Sequence, residues 1–241
     1  MFNNSIIFKN VNRHQLKEEH FSFPSDEEWI NTTLLHMGYP DISKSNATVL
    51  EMVKETIEKV KGCIQPSFLF KTIPLERFSN KGFQTSLFDI KSYNWSRIAS
   101  YLQGDQYICC FAVTLGAECE EKIKVLGSDA IMISFVWDAL LSTIAEFFAD
   151  QAEMFIARIC VEKGMSNTRR FSPGYCDLDL LQGQIAIFNF CHPEIIGIHL
   201  NKSGLMIPRK SITGFVMIAE SVPYTEPCRF CKRNCNHRRS N

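Results

Sequence analysis

Arg170-Phe171-Ser172-Pro173-Gly174-Tyr175 sets a fixed cation and an aromatic ring five residues apart around a turn. Pro173 locks its own φ, and Gly174 has access to backbone conformations closed to other residues. A guanidinium grips a carboxylate through two parallel hydrogen bonds, and a tyrosine offers both a ring face and a hydroxyl. The turn therefore suits a flat, partly charged ligand. The competing reading is a solvent-facing loop with an incidental arginine. Arg169 is the alternative cation, but the four-residue spacing to Gly174 favours Arg170. A second cluster closes the chain. Cys228-x2-Cys231-x3-Cys235 and then His237 gather four soft ligands within ten residues. A CxxC turn brings two thiolates to one metal. Three cysteines with a histidine suit zinc, and three thiolates with one open site suit an iron–sulfur cluster. The alternatives are a redox pair or a flexible tail with incidental cysteines. No second ligand pair stands at the longer spacing of nucleic-acid-binding fingers. Arg229, Lys232, Arg233, Arg238 and Arg239 make this end basic, suited to an acidic partner such as a flavoprotein or to a solubilising role.

Composition bounds the rest. The chain has 241 residues, 45% of them apolar and 19 of them Phe, enough for one sizeable core. Its 26 basic and 26 acidic residues cancel, which argues against bulk attraction to nucleic acid or an anionic membrane. No stretch is expected to approach the apolar length of a membrane span, and the start lacks the order of a signal peptide. Ten cysteines in a chain this long fit a reducing cytoplasm with some metal-ligating thiols better than a secreted disulfide framework. Cys109, Cys110, Cys119, Cys160 and Cys191 sit in apolar surroundings and read mostly as core.

The elements that must position these residues follow from periodicity and punctuation. Ser25 with Glu28 reads as a capping box for a helix that stops at Gly38. A second helix starts near Ser45 or Asn46 and ends at Gly62. SFLFKTI, between Pro66 and Pro74, and the run from Tyr107 to Leu115 read as strands, and Asn94 to Leu102 as a short helix. The longest helix is expected from about Asp129 to Lys163, with Asp138, Ser142, Glu146, Asp150 and Glu153 on its polar face. A helix over Asp179 to Phe190, strands at Ile196–Leu200 and Leu205–Ile207 around an Asn201–Gly204 turn, and a strand from Ser211 to Ile218 complete the series. Helices and strands mix without a βαβ rhythm. The fold class is therefore α+β, a mainly antiparallel twisted sheet flanked by helices, one of them long.

From Arg170 to about Tyr224, the segments RFSPGY, LLQGQIAIFNF and IIGIHLNKSGLMIPRKSITGF resemble the activation (reactivation) domain of cobalamin-dependent methionine synthase. The resemblance extends upstream through DALLSTIAEFFADQAE and covers roughly residues 90 to 225. The organisation it suggests is an N-terminal region at 1–90, an activation-domain-like core at 91–225 and a Cys-rich basic tail at 226–241. The first region and the tail resemble free-standing members of the family. By periodicity Glu146 is a solvated carboxylate. The resemblance instead implies contact with S-adenosylmethionine, and it implies that Arg170 and Tyr175 contact the same ligand. Phe171 and Gly174 belong to the same groove, and the spacing of Tyr224 matches a further ligand-contacting tyrosine. The family's last motif residue is usually proline and here is Cys176. No counterpart is carried over for the aspartate near the family domain's start.

The resemblance implies a module, a component of a methyltransferase system rather than a complete enzyme. It would support reductive remethylation of cob(II)alamin on a separate corrinoid-binding chain, with S-adenosylmethionine as methyl donor and a flavodoxin-like electron donor. The sequence has no Asp-x-His-x-x-Gly signature of its own for holding cobalamin, and no Gly-x-Gly-x-x-Gly or phosphate-binding loop. His36, His192 and His199 stand alone. The reading from a different class is a metal or iron–sulfur accessory protein that relays electrons to a corrinoid methyltransferase.

Overall fold

The computed structural model describes residues 23–39, 44–79, 81–93, 98, 101–125, 131–223 and 227–231. Its centre is β5 (Gln103–Thr114), in which every residue from Tyr107 to Thr114 is buried. A strand with water on one face alternates polar and apolar; an unbroken apolar run needs cover on both. β5 has it. β1 (Ser67–Pro74) and β9 (Ser211–Ser221) flank it antiparallel, and β6 (Ser166–Asn167) extends the sheet beyond β9, giving the order β1-β5-β9-β6. Alternate β5 side chains divide between two cores. Cys109, Phe111 and Val113 face one, and Ile108, Cys110 and Ala112 the other.

The first core is covered by α1 (Asp26–His36), α2 (Ala47–Lys61) and the long α4 (Ile131–Glu162). Caps set the helix starts: Ser25 Oγ accepts from Glu28 N–H, and Asn46 Oδ1 from Thr48 N–H. α3 (Glu118–Val125) joins the same side, where Cys119 is disulfide-bonded to Cys63 at the end of α2. Cys119 is thus buried as expected, but not as a free thiol. The seven other described cysteines are free. The second core is covered by α5 (Leu180–Cys191) and by a small meander, β2 (Arg77–Ser79), β3 (Gly82–Gln84) and β4 (Asp89–Lys91). Phe111, Phe148 and Phe215 are fully buried, and each contributes about 1.5–3 kcal/mol by leaving water.

α4 corrects one expectation. By length and composition it is apolar enough to cross a membrane, with a mean hydropathy of 1.6 over its most apolar stretch. Half of that stretch is buried inside the domain, because the helix lies along the sheet as its main cover. The helix expected over Asn94–Leu102 falls mostly outside the described residues. The observed α+β architecture, antiparallel sheets with one long helix, is the one the pattern implied.

Candidate functional site

The chain leaves α4 at Gly164, makes β6 and then runs beside β9. Thr168 N–H donates to Met217 O at 2.9 Å, and Phe171 exchanges two backbone hydrogen bonds with Phe215 at 2.8 and 2.9 Å. This pairing presents Arg169 and Arg170 to the polar face of α4. Periodicity alone made that face a solvated stripe; the structure fills it with ion pairs. Arg170 is 5% exposed. Its Nη2 meets Glu146 at 2.6 Å, and its Nη1 bonds Asp150 and, at 3.2 Å, Glu153. The Arg170 backbone N–H also donates to Glu153 Oε2 at 3.0 Å. Arg169 Nε meets the other Glu153 oxygen at 3.0 Å. Burial works against the Arg170 charge, but Asp150, Glu146 and Glu153 outweigh it and hold the guanidinium above its ordinary pKa. Further along the same stripe, Lys210 meets Asp138 at 2.8 Å.

After Arg170 the chain enters the turn. Tyr175 N–H donates to Ser172 O at 3.2 Å, and Gly174 N–H to Leu178 O at 3.0 Å. Gly174 takes φ +89°, a conformation that residues with a Cβ rarely adopt. α5 is packed hard against the turn, since a Cβ on Gly183 would lie 2.8 Å from Pro173. Asp179 caps α5 by accepting from Gln182 N–H at 2.8 Å. Asp177 ties the turn's exit to the end of the meander, accepting from Ser92 Oγ at 2.7 Å and Tyr93 N–H at 2.5 Å.

Between the turn, α5 and the hairpin of β7 (His199–Leu200) and β8 (Met206–Ile207) lies a cavity of about 530 Å³. That is within the range of small-molecule sites. Glu146, Arg169, Arg170, Pro173 and Tyr175 form one side, the α5 residues Leu180 and Gln184 another, and Leu205, Met206 and Arg209 the hairpin side. Thr213, donating to Gln184 at 3.0 Å, lies in the wall beside β9. Cys228, on the one-turn helix α6 (Pro227–Phe230), closes the rim with Cys176. The partly buried Cys176 thiol is pushed up to about 12 by burial, by a hydrogen bond with Cys231 and by neighbouring charge.

The structure thus brings Glu146, Arg170 and Tyr175 to one cavity. Phe171 sits elsewhere. It is 3% exposed and packs in the second core, so it anchors the turn from behind. Gly174 shapes the turn. Tyr224, Cys235 and His237 lie outside the described residues. Cys228 and Cys231 are described, and among the described residues no three His, Cys, Asp or Glu side chains make a group that would hold a metal ion. Sequence reasoning did not single out Asp150, Glu153, Gln184, Arg209 or Thr213. The i, i+4, i+7 spacing of Glu146, Asp150 and Glu153 was the available signal.

The lining offers carboxylate oxygens, a guanidinium paired with Glu146, Asp150 and Glu153, and the exposed ring of Tyr175. Residues 97–236 match the family model described as vitamin B12 dependent methionine synthase, activation domain. No curated protein matches the chain. Among solved structures, one described as the crystal structure of the MetH reactivation domain bound to AdoHcy is similar. Its TM-score is 0.64 at 14% identity, over 91% of this chain and 82% of that one.

Proposed function

Because the chain belongs to the vitamin B12 dependent methionine synthase activation domain family, we propose that it holds S-adenosylmethionine in the cavity behind the Arg170–Tyr175 turn. From there it serves the methylation of a cobalamin carried on a separate chain. The observation that carries this reading is the convergence of Glu146, Arg170 and Tyr175 on one cavity of about 530 Å³. Glu146, with a side chain 35% exposed, faces the sulfonium and ammonium end. The α-carboxylate takes the place of Glu146 on Arg170 Nη2, while Asp150 and Glu153 keep the guanidinium oriented. Tyr175, 55% exposed, offers its ring to the adenine. Tyr224 belongs to the same ligand shell in this reading.

The partner's corrinoid supplies the cobalt that accepts the methyl group. This chain's residues do no acid–base work; they fix the S–CH3 bond in line with the acceptor and exclude water from the thioether end. An acidic one-electron carrier of the flavodoxin type is the expected reductant.

The test mixes the chain with a cobalamin-loaded methionine synthase that lacks its own activation domain, a reduced flavodoxin and S-adenosylmethionine. Methyl-corrinoid formation is followed by visible absorption. Formation that depends on this chain, and is lost in Glu146→Gln, supports the reading. The same rate without the chain overturns it.

A further inference from the structure

Gln184, in the α5 wall of the cavity, is a buried polar side chain with unfilled donors. It is 3% exposed. Among the described residues its side chain makes one hydrogen bond, in which Thr213 Oγ1 donates to Oε1 at 3.0 Å. Thr213 is itself 2% exposed. With Oε1 engaged, the amide keeps both N–H donors of Nε2. Among the described residues, the enclosed side-chain polar atoms without a partner belong to Trp29, Thr33 and Trp137. Nε2 of Gln184 is not one of them, so it opens onto the cavity that its residue lines. A few fixed polar groups of this kind orient a ligand in an otherwise apolar pocket.

Placement indicates which part of a ligand these donors meet. The charged lining lies toward α4, where Arg170 meets Glu146 and Arg169 meets Glu153. Gln184 enters from α5, on the second core. The same helix is pressed against the Tyr175 turn. A Cβ on Gly183 would lie 2.8 Å from Pro173, and one on Gly174 3.5 Å from Leu180. A neutral donor at the turn end suits a neutral acceptor, and a purine offers ring nitrogens.

We propose that Gln184 is a specificity-determining residue, whose side-chain amide donates to a ring nitrogen of the adenine. Thr213 fixes which end of the amide faces the base. The inference rests on the methyl-donor reading and adds to it the group that reads the base. Replacing that ring nitrogen by C–H would leave the buried amide without an acceptor, a larger penalty than a loss of shape alone.

The test is calorimetry with S-adenosylhomocysteine, whose neutral sulfur keeps sulfonium charge out of the comparison. Three analogues accompany it, each with N1, N3 or N7 of the adenine replaced by C–H. The proteins are the full chain and its Gln184→Met and Gln184→Glu variants, with thermal unfolding to check that each is folded. Wild type is expected to bind at least one analogue about tenfold more weakly than the parent. Gln184→Met should bind the parent about tenfold more weakly and no longer distinguish that analogue, as coupled groups do in a double-mutant cycle. Gln184→Glu keeps an acceptor for Thr213 but puts oxygen where the donor was, and should lose at least as much. Equal affinity of wild type for the parent and all three analogues overturns the proposal, and that arm needs no variant. So does a Gln184→Met protein that keeps the wild-type discrimination, since its loss would then be structural. Unchanged parent affinity in both variants overturns it as well. These results leave the methyl-donor reading standing, whereas no binding of the parent by wild type would sink both.

Discussion

Arg170 is a buried cation held by three carboxylates rather than by water. Removing it leaves Glu153, itself 1% exposed, with Arg169 as its remaining described cationic partner. Arg170→Ala is expected to cost about 3–5 kcal/mol in urea unfolding, as for other broken buried pairs. A loss below about 1 kcal/mol would show the cluster to be no more than a surface pair. That variant therefore tests structure before it tests ligand binding. Tyr175→Ala separates the two. The ring is 55% exposed, so unfolding should shift by less than about 0.5 kcal/mol. Affinity for S-adenosylmethionine should fall roughly three- to tenfold, the worth of one ring contact. Equal losses of stability and affinity would place Tyr175 in the scaffold instead. Gly174's positive φ was legible in the sequence, since Pro-Gly leaves few other turns. The engagement of Arg170 was not. Helical periodicity marks Glu146, Asp150 and Glu153 as sharing a polar face, but it does not say what faces them.

At the scale of elements, the site exists because α5 presses its glycine against the turn. The Gly183→Ala methyl would sit 2.8 Å from Pro173 Cβ and Cγ, so the turn or the helix must move. Overpacking of this kind costs about 1–3 kcal/mol. The shift should also weaken nucleotide binding, whereas alanine in an unobstructed helix would stabilise. Thermal unfolding with and without ligand reads both effects. The capped helices were the most legible part of the sequence, because Ser25, Asn46 and Asp179 are local chemical signals. The meander β2–β4 was not read, since three-residue strands carry too little alternation to register. β6, two residues long, is defined only by its partner β9.

For the whole molecule, the sheet separates two cores, and the staple lies in the helical one, apart from the cavity that Glu146 of α4 shares with the turn, α5 and the hairpin. The Cys63–Cys119 disulfide ties α2 to α3 within the helical core across 56 residues of chain. Its reduction should lower stability by up to about 4 kcal/mol on the loop-entropy estimate. Nucleotide affinity should change little, because neither Cys63 nor Cys119 lines the cavity. A reductant that changed affinity as much as unfolding would contradict that separation. The fold class was legible because it follows from the order and type of elements. The disulfide was not, because Cys63 and Cys119 have no spacing that marks them as partners.

The most direct test is isothermal calorimetry of S-adenosylmethionine against the full chain and its Glu146→Gln variant. One saturable site is expected, competed by S-adenosylhomocysteine. Affinity should drop about tenfold or more in the variant, the loss of a charge-assisted contact. No heat of binding to wild type at millimolar ligand would contradict the cavity's role, and equal affinity in the variant would remove Glu146 from it.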